Sequence, residues 1–555
     1  MICSWRTFAA LVVFLATVSV VTEAVDASMR EAVDAFYAER DGAPVFLAGP
    51  EGGFDVRADK AHALVRALKA APEDGLDRRH YAVEALALRL REIDSADTVD
   101  HSVVRMLEDD LAYAYLRFSS DLASGRTDPQ SVDSEVHIRP SEPDARGLLV
   151  RAAAAPDGQT LKAAIGELRP EGAEYRRLRQ ALDVYREIAR RGGWTRMPSG
   201  ETLRIGAEGP RVAVLREVLR ERGDLAAGTN EHPDVYGPNL ERAVRRFQAR
   251  HGLTVDGITG PRTIEALNVP VEDRIRKILL NMERRRWMPD DPGRRHVFVN
   301  LADFALQVVD GEKTVIDMRV VVGTPYHRTP VFSDRMTYLE VNPYWNVPPS
   351  IAGSQILPEI REDPGYLVEQ GFRVFEGWQE GARELDPWAI DWDEVPARRF
   401  PYKLRQDPGP MNALGRVKFM FPNRFAVYLH DTPARYLFDR TVRAFSRGCI
   451  RVERPLELAH LLLRLDGQDP GVVDRALETG DRTVIRLRNA VPVHLTYLTA
   501  WIDGDGTVHF RDDVYGRDAR LASVLLRPDD ARSEAFSPGF MPFGDDGILL
   551  ADRQG

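Results

Sequence analysis

Apolar side chains recur at steps of three and four residues through the early part of the chain. Val104, Leu107, Leu111, Tyr115, Phe118 and Leu122 make one such stripe before Gly125 and Asp128-Pro129 stop it. Tyr175, Leu178, Leu182, Tyr185 and Ile188 make another before Gly192-Gly193. This spacing predicts helices and nothing else from about Ser28 to Met197. No cluster of titratable side chains points to chemistry here, so residues 28–198 read as an all-helical scaffold.

A second helical unit covers residues 199–270. Helices are predicted around Val212–Leu219 and Leu240–His251, and a short one from Pro261 to Leu267 follows Gly252, Asp256-Gly257 and Gly260. This is a compact three-helix module with Phe247 and Leu267 in its core. From about Arg295 the period falls to two. His296–Leu301, Ala305–Val309 and Val315–Val322 are short β-branched runs divided by Asp310-Gly311 and Gly323-Thr324-Pro325, the signature of hairpins.

Strand patterns return at Thr337–Val341, Arg416–Met420, Ala426–Leu429 and Thr483–Leu487, with a helix at Pro455–Leu465, so residues 290–490 read as a mostly-β domain. A long interruption at about 358–407, rich in Glu, Arg, Trp and Pro, is of the size that commonly makes a lid. Its Trp378, Trp388 and Trp392 suit either the underside of that lid or a small core of its own. Residues 491–555 form a C-terminal extension. Asp503 and Asp505 invite a calcium loop, but Val514 stands where an EF-hand needs Glu, so a hairpin turn is the better account. The fold class is therefore multidomain α+β.

Composition narrows the function. The 555 residues are 44% hydrophobic and 29% charged, with a formal charge of -10, and no long basic run offers a grip on nucleic acid or anionic lipid. At the N-terminus Arg6 precedes an uncharged apolar run from Thr7 to Val21, then small residues at Thr22, Ala24 and Ala27. Residues 1–27 read as a secretory signal that sends the protein to the periplasm. The alternative is an uncleaved anchor, and the run falls short of the ~20 residues that span a bilayer. Cleavage would remove Cys3 and leave Cys449 alone, too few cysteines for a disulfide framework or a Cys-rich zinc site. No metal or other cofactor is implied, and no Walker loop occurs.

Chemistry concentrates in Tyr428-Leu429-His430-Asp431-Thr432 and Ser446-Arg447-Gly448-Cys449-Ile450-Arg451-Val452. Cys449 is a candidate nucleophile as thiolate, and His430, at a strand end, a base that takes its proton and later protonates a leaving amine. Gly448, lacking Cβ, lets backbone N–H groups point into a small site where they stabilise an oxyanion. Tyr428, two residues before His430, lies on the same strand face. Ser446 orients either the histidine or the turn. Arg451 is a candidate to pair with substrate carboxylates or to lower the thiol pKa, while Arg447 suits a surface salt bridge or a substrate contact. The group that orients His430 stays open, a backbone carbonyl among the candidates.

Two resemblances rest on these motifs. Ala243-Val244-Arg245-Arg246-Phe247-Gln248 with Gly252-Leu253, Asp256-Gly257, Gly260 and Thr263 through Leu267 resembles the peptidoglycan-binding type 1 domain. His430, fifteen intervening residues, then Ser446-x-Gly448-Cys449 resembles the YkuD-type L,D-transpeptidase motif. With Asn342-Pro343-Tyr344-Trp345-Asn346-Val347-Pro348-Pro349 and the Tyr497–Tyr515 tail, the chain is similar to the large periplasmic YcbB-like branch over nearly its full mature length.

The resemblance implies peptidoglycan stem peptides and glycan as partners, acylation of Cys449 by a tetrapeptide with release of D-alanine, transfer to an amine of a second stem, and acylation by carbapenems. It also implies an oxyanion role for Tyr428 and a place near the substrate cleft for Trp345 and Asn342. Two rival readings stand beside it. One is an L,D-carboxypeptidase with the same nucleophile and water as acceptor; the other is a wall-binding protein without catalysis.

Overall fold

The computed structural model describes residues 26–47, 59–95, 100–141, 143–226, 232–289 and 291–526. Most of the export signal expected over 1–27, with Cys3, and the last part of the 491–555 extension lie outside the described residues. Among the described residues no helix is long and apolar enough to cross a membrane.

The N-terminal region is helical, as its periodicity predicts. Its centre is the helix His101–Ser124, whose cap Asp100 accepts the Ser102 N–H at 2.8 Å. Leu107, Leu111, Tyr115, Phe118 and Leu122 of that helix share one core with helices Asp59–Lys69, Val83–Ser95, Ala145–Ala154 and Gly158–Gly166. Glu108 is fully buried because its carboxylate accepts the backbone N–H groups of Val45, Phe46 and Leu47 at 2.6–3.0 Å. The helix Ala173–Arg190 instead shares a core with the long helix Val271–Trp287 and with residues Ala500, Ile502 and Phe510 far down the chain.

The module that follows has helices Pro210–Glu221, Pro238–Arg250 and Pro261–Leu267 around Leu215, Val244, Phe247 and Leu267. Each begins with a proline at its first turn, where the missing N–H costs nothing. Its Thr254 hydroxyl touches that of Thr441 at 2.8 Å, so the module leans on the β domain.

The β domain opens with β1 (Arg295–Asn300), β2 (Ala305–Asp310), β3 (Lys313–Gly323) and β4 (Phe332–Val341). An inserted body carries β5 (Trp345–Asn346), β6 (Phe372–Phe375), β7 (Glu384–Leu385) and β8 (Lys403–Gln406). The domain resumes with β9 (Val417–Met420), β10 (Leu429–His430), β11 (Ala444–Ser446), β12 (Ile450–Val452) and β13 (Thr483–Thr496), and the hairpin of β14 (Ala500–Ile502) and β15 (Val508–Phe510) comes last. The main sheet runs β11-β3-β12-β10-β9-β4-β13-β1-β2, and because β2 also pairs with β3 it closes on itself. Val299, Leu306, Val320, Leu339, Phe419, Leu429 and Ile450 fill the inside, joined by Leu458 and Leu462 of the helix Pro455–Leu465.

Three expectations need correction. The boundary expected at residue 490 falls inside β13, which continues to Thr496 because Val493 and Leu495 pair with β1 on one side and β4 on the other. The insertion expected over 358–407 begins earlier. Trp345-Asn346 pairs with Arg405-Gln406, and Val347 is buried in the insertion's own core with Leu357, Phe372, Trp392 and Leu404. The strand expected over Ala426–Leu429 is shorter, because Ala426 adopts φ +54° and breaks it.

The Asp503–Thr507 segment is a hairpin turn, as expected: the Asp503 carboxylate accepts the Asp505 and Thr507 N–H groups at 3.0 and 2.9 Å. Within the insertion Trp392 is buried and donates its indole N–H to the Pro387 carbonyl at 2.9 Å, whereas Trp378 and Trp388 are 48% and 63% exposed.

Candidate active site

Three neighbouring strands build the site on the outside of the closed sheet. Leu429 pairs with Ile450 and with Phe419, and all three point into the core. By the alternation of a strand, their neighbours face outward: His430 beside Arg451 on one side and Lys418 on the other. The same register sets Tyr428 opposite Cys449. The sequence-predicted residues Tyr428, His430, Cys449 and Arg451 thus come together on one face, and Lys418, which sequence reasoning missed, joins them.

His430 is buried, at 4% exposure, and its Nδ1 lies 2.6 Å from the carbonyl oxygen of Asp431. A carbonyl only accepts, so Nδ1 carries the proton and Nε2 keeps its lone pair. Burial, with the Arg451 guanidinium alongside, lowers the imidazole from 6.5 to about 3. The orienting group is thus the backbone of the next residue.

Asp431 is itself fixed. Its carboxylate accepts the Thr432 and Arg416 N–H groups at 2.8 and 3.0 Å and pairs with Arg416 and Arg435 at 3.3 and 3.4 Å. It packs so closely on Gly415 that a Cβ there would lie 2.5 Å from the Asp431 side chain. The only hint in the sequence was an Asp directly after a strand-end His.

Cys449 is half-buried, with Sγ 3.8 Å from the Ala426 carbonyl. Burial raises the thiol above its ordinary value, while the Tyr428 hydroxyl and N–H, the Lys418 ammonium and the Arg451 guanidinium favour the thiolate. At rest both groups are therefore neutral, a thiol and an imidazole on the same face of the sheet. Lys418 holds its ammonium 4.0 Å over the Tyr428 ring.

The turn before Cys449 is tied by Ser446, whose Oγ donates to the Cys449 carbonyl at 2.5 Å and accepts the Gly448 N–H at 3.2 Å. Ser446 orients the turn and makes no contact with the histidine. The Gly448 N–H, expected to help hold an oxyanion, is engaged inside the turn. What the glycine supplies is φ +110°, a conformation that a side chain disfavours. Among the described residues the Cys449 N–H has no acceptor.

Arg447 donates to the Ser354 hydroxyl at 3.0 Å and so ties the turn to the inserted body; among the described residues it has no carboxylate partner. Among the described residues the buried Nε of Arg451 has no hydrogen-bond partner and its guanidinium forms no ion pair. Asn342 was expected near the substrate cleft. It is buried at φ +50° with its amide N–H donated to the Ala476 and Asp481 carbonyls at 2.7 and 3.2 Å, a structural anchor. Trp345 is half-buried against Phe372, ring centres 6.0 Å apart, as part of the insertion's packing. Among the described residues no group of three or more His, Cys, Asp or Glu is gathered as a metal would require.

Comparison with known proteins agrees with this architecture. Residues 294–485 match the YkuD family, an L,D-transpeptidase catalytic domain; residues 31–182 match a scaffold domain; residues 208–267 match a domain described as "Putative peptidoglycan binding domain". The chain therefore carries a YkuD-type L,D-transpeptidase catalytic domain behind a helical scaffold and a peptidoglycan-binding type 1 domain.

A Haemophilus influenzae protein described as "Putative L,D-transpeptidase" is 36% identical over 245 residues, which is 44% of this chain and 48% of that protein. The chain thus spans about half the length of this curated relative. An N-acetylmuramoyl-L-alanine amidase of Mycobacterium tuberculosis is 37% identical over 79 residues, 13% of this chain and 20% of that one. A solved L,D-transpeptidase from Xylanimonas cellulosilytica aligns at 15% identity over 54% of this chain and 98% of its own, with a TM-score of 0.17, too low to bear on the fold.

Proposed function

We propose that the protein is a peptidoglycan L,D-transpeptidase of the periplasm that works through Cys449. The observation that carries this reading is the shared outward face of Tyr428, His430 and Cys449, with His430 locked as a base by the Asp431 carbonyl. Sγ attacks the carbonyl carbon of the peptide bond after the third residue of a tetrapeptide stem, and its proton passes to His430 Nε2. The Cys449 N–H and the Tyr428 hydroxyl receive the oxyanion. The C–N bond breaks, His430 returns the proton to the leaving D-alanine amine, and a thioester remains.

An amine of a second stem then attacks the thioester and gives its proton to His430. The thiolate leaves and is reprotonated. One amide replaces another, so no nucleotide is consumed. An imidazole held near 3 is a weak base in the resting site. It becomes effective when the developing oxyanion stands beside it, so proton transfer accompanies attack rather than preceding it.

The unpaired Arg451 is suited to a substrate carboxylate, and the three-helix module to wall contact. Acylation by carbapenems at the same sulfur follows from the same chemistry. The inserted body, tied to the catalytic turn by Arg447 and Ser354, favours transpeptidation over hydrolysis, because excluding water protects the thioester until an amine arrives. Muropeptide analysis of the reaction with a disaccharide tetrapeptide tests this: cross-linked dimer with free D-alanine from the wild type and neither from Cys449→Ala is the expected result. Tripeptide alone from the wild type would mean a carboxypeptidase, and turnover by Cys449→Ala would sink the mechanism.

A further inference from the structure

The peptide unit between Gly448 and Cys449 is held from the inside by a residue that the mechanism above does not use. Thr329 is fully buried, at 0% exposure; its hydroxyl donates to the Gly448 carbonyl at 2.9 Å and accepts the Gly323 N–H at 2.9 Å. In a trans peptide the C=O and the N–H point in opposite directions. Drawing the Gly448 oxygen inward therefore turns the Cys449 N–H outward, where it has no acceptor among the described residues. A left-handed glycine leaves this plane poorly fixed by the chain itself, so a side chain has to fix it.

We propose that Thr329 is the positioning residue of the oxyanion site: its hydroxyl sets the plane of the Gly448–Cys449 peptide and with it the direction of the Cys449 N–H. The inference rests on the acyl-transfer reading of Cys449.

Thr329 is held just as firmly. Its N–H donates to the Tyr515 hydroxyl at 3.4 Å, which in turn donates to the Gly323 carbonyl at 2.6 Å. Its carbonyl accepts from Arg517 at 3.3 Å, and Arg517 pairs with Asp133 and Glu135 of the scaffold at 3.2 and 3.4 Å. Gly323 has no room for a side chain, since a Cβ there would lie 2.0 Å from the His327 carbonyl oxygen. On the other flank Val136 and Val331 form a bridge, with the Val331 N–H donating to Glu135 at 2.9 Å. The oxyanion donor is thus referred back, through Thr329, to both the scaffold and the C-terminal segment.

The test compares Thr329→Val and Thr329→Ser. Two rates are read at Cys449: acylation by a stem tetrapeptide, which needs the oxyanion site, and alkylation by iodoacetamide, which does not. The infrared carbonyl stretch of the thioester is read as well, since a hydrogen-bonded carbonyl absorbs at lower frequency. Thr329→Val should lose acylation by about tenfold to a hundredfold, mostly in kcat, keep its alkylation rate and move the thioester band upward. Thr329→Ser should restore all three to wild-type values.

Acylation at the wild-type rate in Thr329→Val would overturn the proposal, as would equal losses of acylation and alkylation. If Thr329→Val does not fold, Thr329→Ala carries the same expectations. A wild-type protein that is alkylated but never acylated would instead defeat the acyl-transfer reading itself.

Discussion

His430 and Asp431 are adjacent in sequence, and the second positions the first through its backbone: Nδ1 of His430 stands 2.6 Å from the Asp431 carbonyl oxygen. The Asp431 carboxylate is spent on the Thr432 and Arg416 N–H groups and on two arginines, which keeps that carbonyl in place. Asp431→Ala should therefore slow acylation of Cys449, by less than the ~10²-fold or more expected for His430→Ala. Stopped-flow acylation of both variants gives the comparison, and an unchanged rate in Asp431→Ala would contradict the arrangement.

The buried imidazole ties stability to pH. His430 binds a proton at 6.5 when unfolded and near 3 when folded, so between these values the unfolded chain holds more protons. Its contribution is fully present above pH 6.5 and is lost as pH falls towards 3. His251, His296 and His494 are lowered by burial too and act in the same direction. Tm should drop as pH is taken from 7.5 to 4.5, and His430→Gln should flatten part of that slope. Equal slopes in the two proteins would contradict a neutral buried His430. The raised thiol adds a kinetic signature: alkylation of Cys449 should still be increasing at pH 9.

Arg451 separates stability from binding. Its Nε is buried without a partner, an arrangement that costs stability in the empty protein. Arg451→Met should leave the protein as stable or more so by thermal unfolding, yet raise KM for a carboxylate-bearing stem peptide by about tenfold or more. A loss of stability without any change in KM would show that the guanidinium serves the fold.

The inserted body has one position that admits no side chain. A Cβ on Gly353 would lie 1.9 Å from the Ala397 carbonyl oxygen, backbone that cannot step aside. Gly353→Val should loosen the core around Ile356, Leu357 and Leu404 and raise hydrolysis relative to cross-linking. Limited proteolysis reports the loosening. An opened insertion with an unchanged product ratio would contradict its role in excluding water.

Much of this was legible in the sequence, for identifiable reasons. Helical stripes, the change of period near Arg295 and the pair His430 and Cys449 are local patterns, and they survive folding. The contacts of Asn342, Trp345 and the Gly448 N–H were not legible because each is made with a partner far along the chain or inside a turn: Ala476 for Asn342, Phe372 for Trp345, the Ser446 hydroxyl for Gly448. Lys418 was invisible for the same reason, since only strand register sets it beside His430. The continuation of β13 past residue 490 depends on pairing with β1 and β4, which no single stretch of sequence announces.

The central claim is that Cys449 becomes an acyl carrier. Intact-protein mass spectrometry of the protein mixed with a disaccharide tetrapeptide, and separately with a carbapenem, tests it most directly. The account predicts a covalent adduct in both mixtures, mapped by fragmentation to Cys449 and absent from Cys449→Ala. No adduct with either compound, while iodoacetamide still labels the thiol, would contradict it.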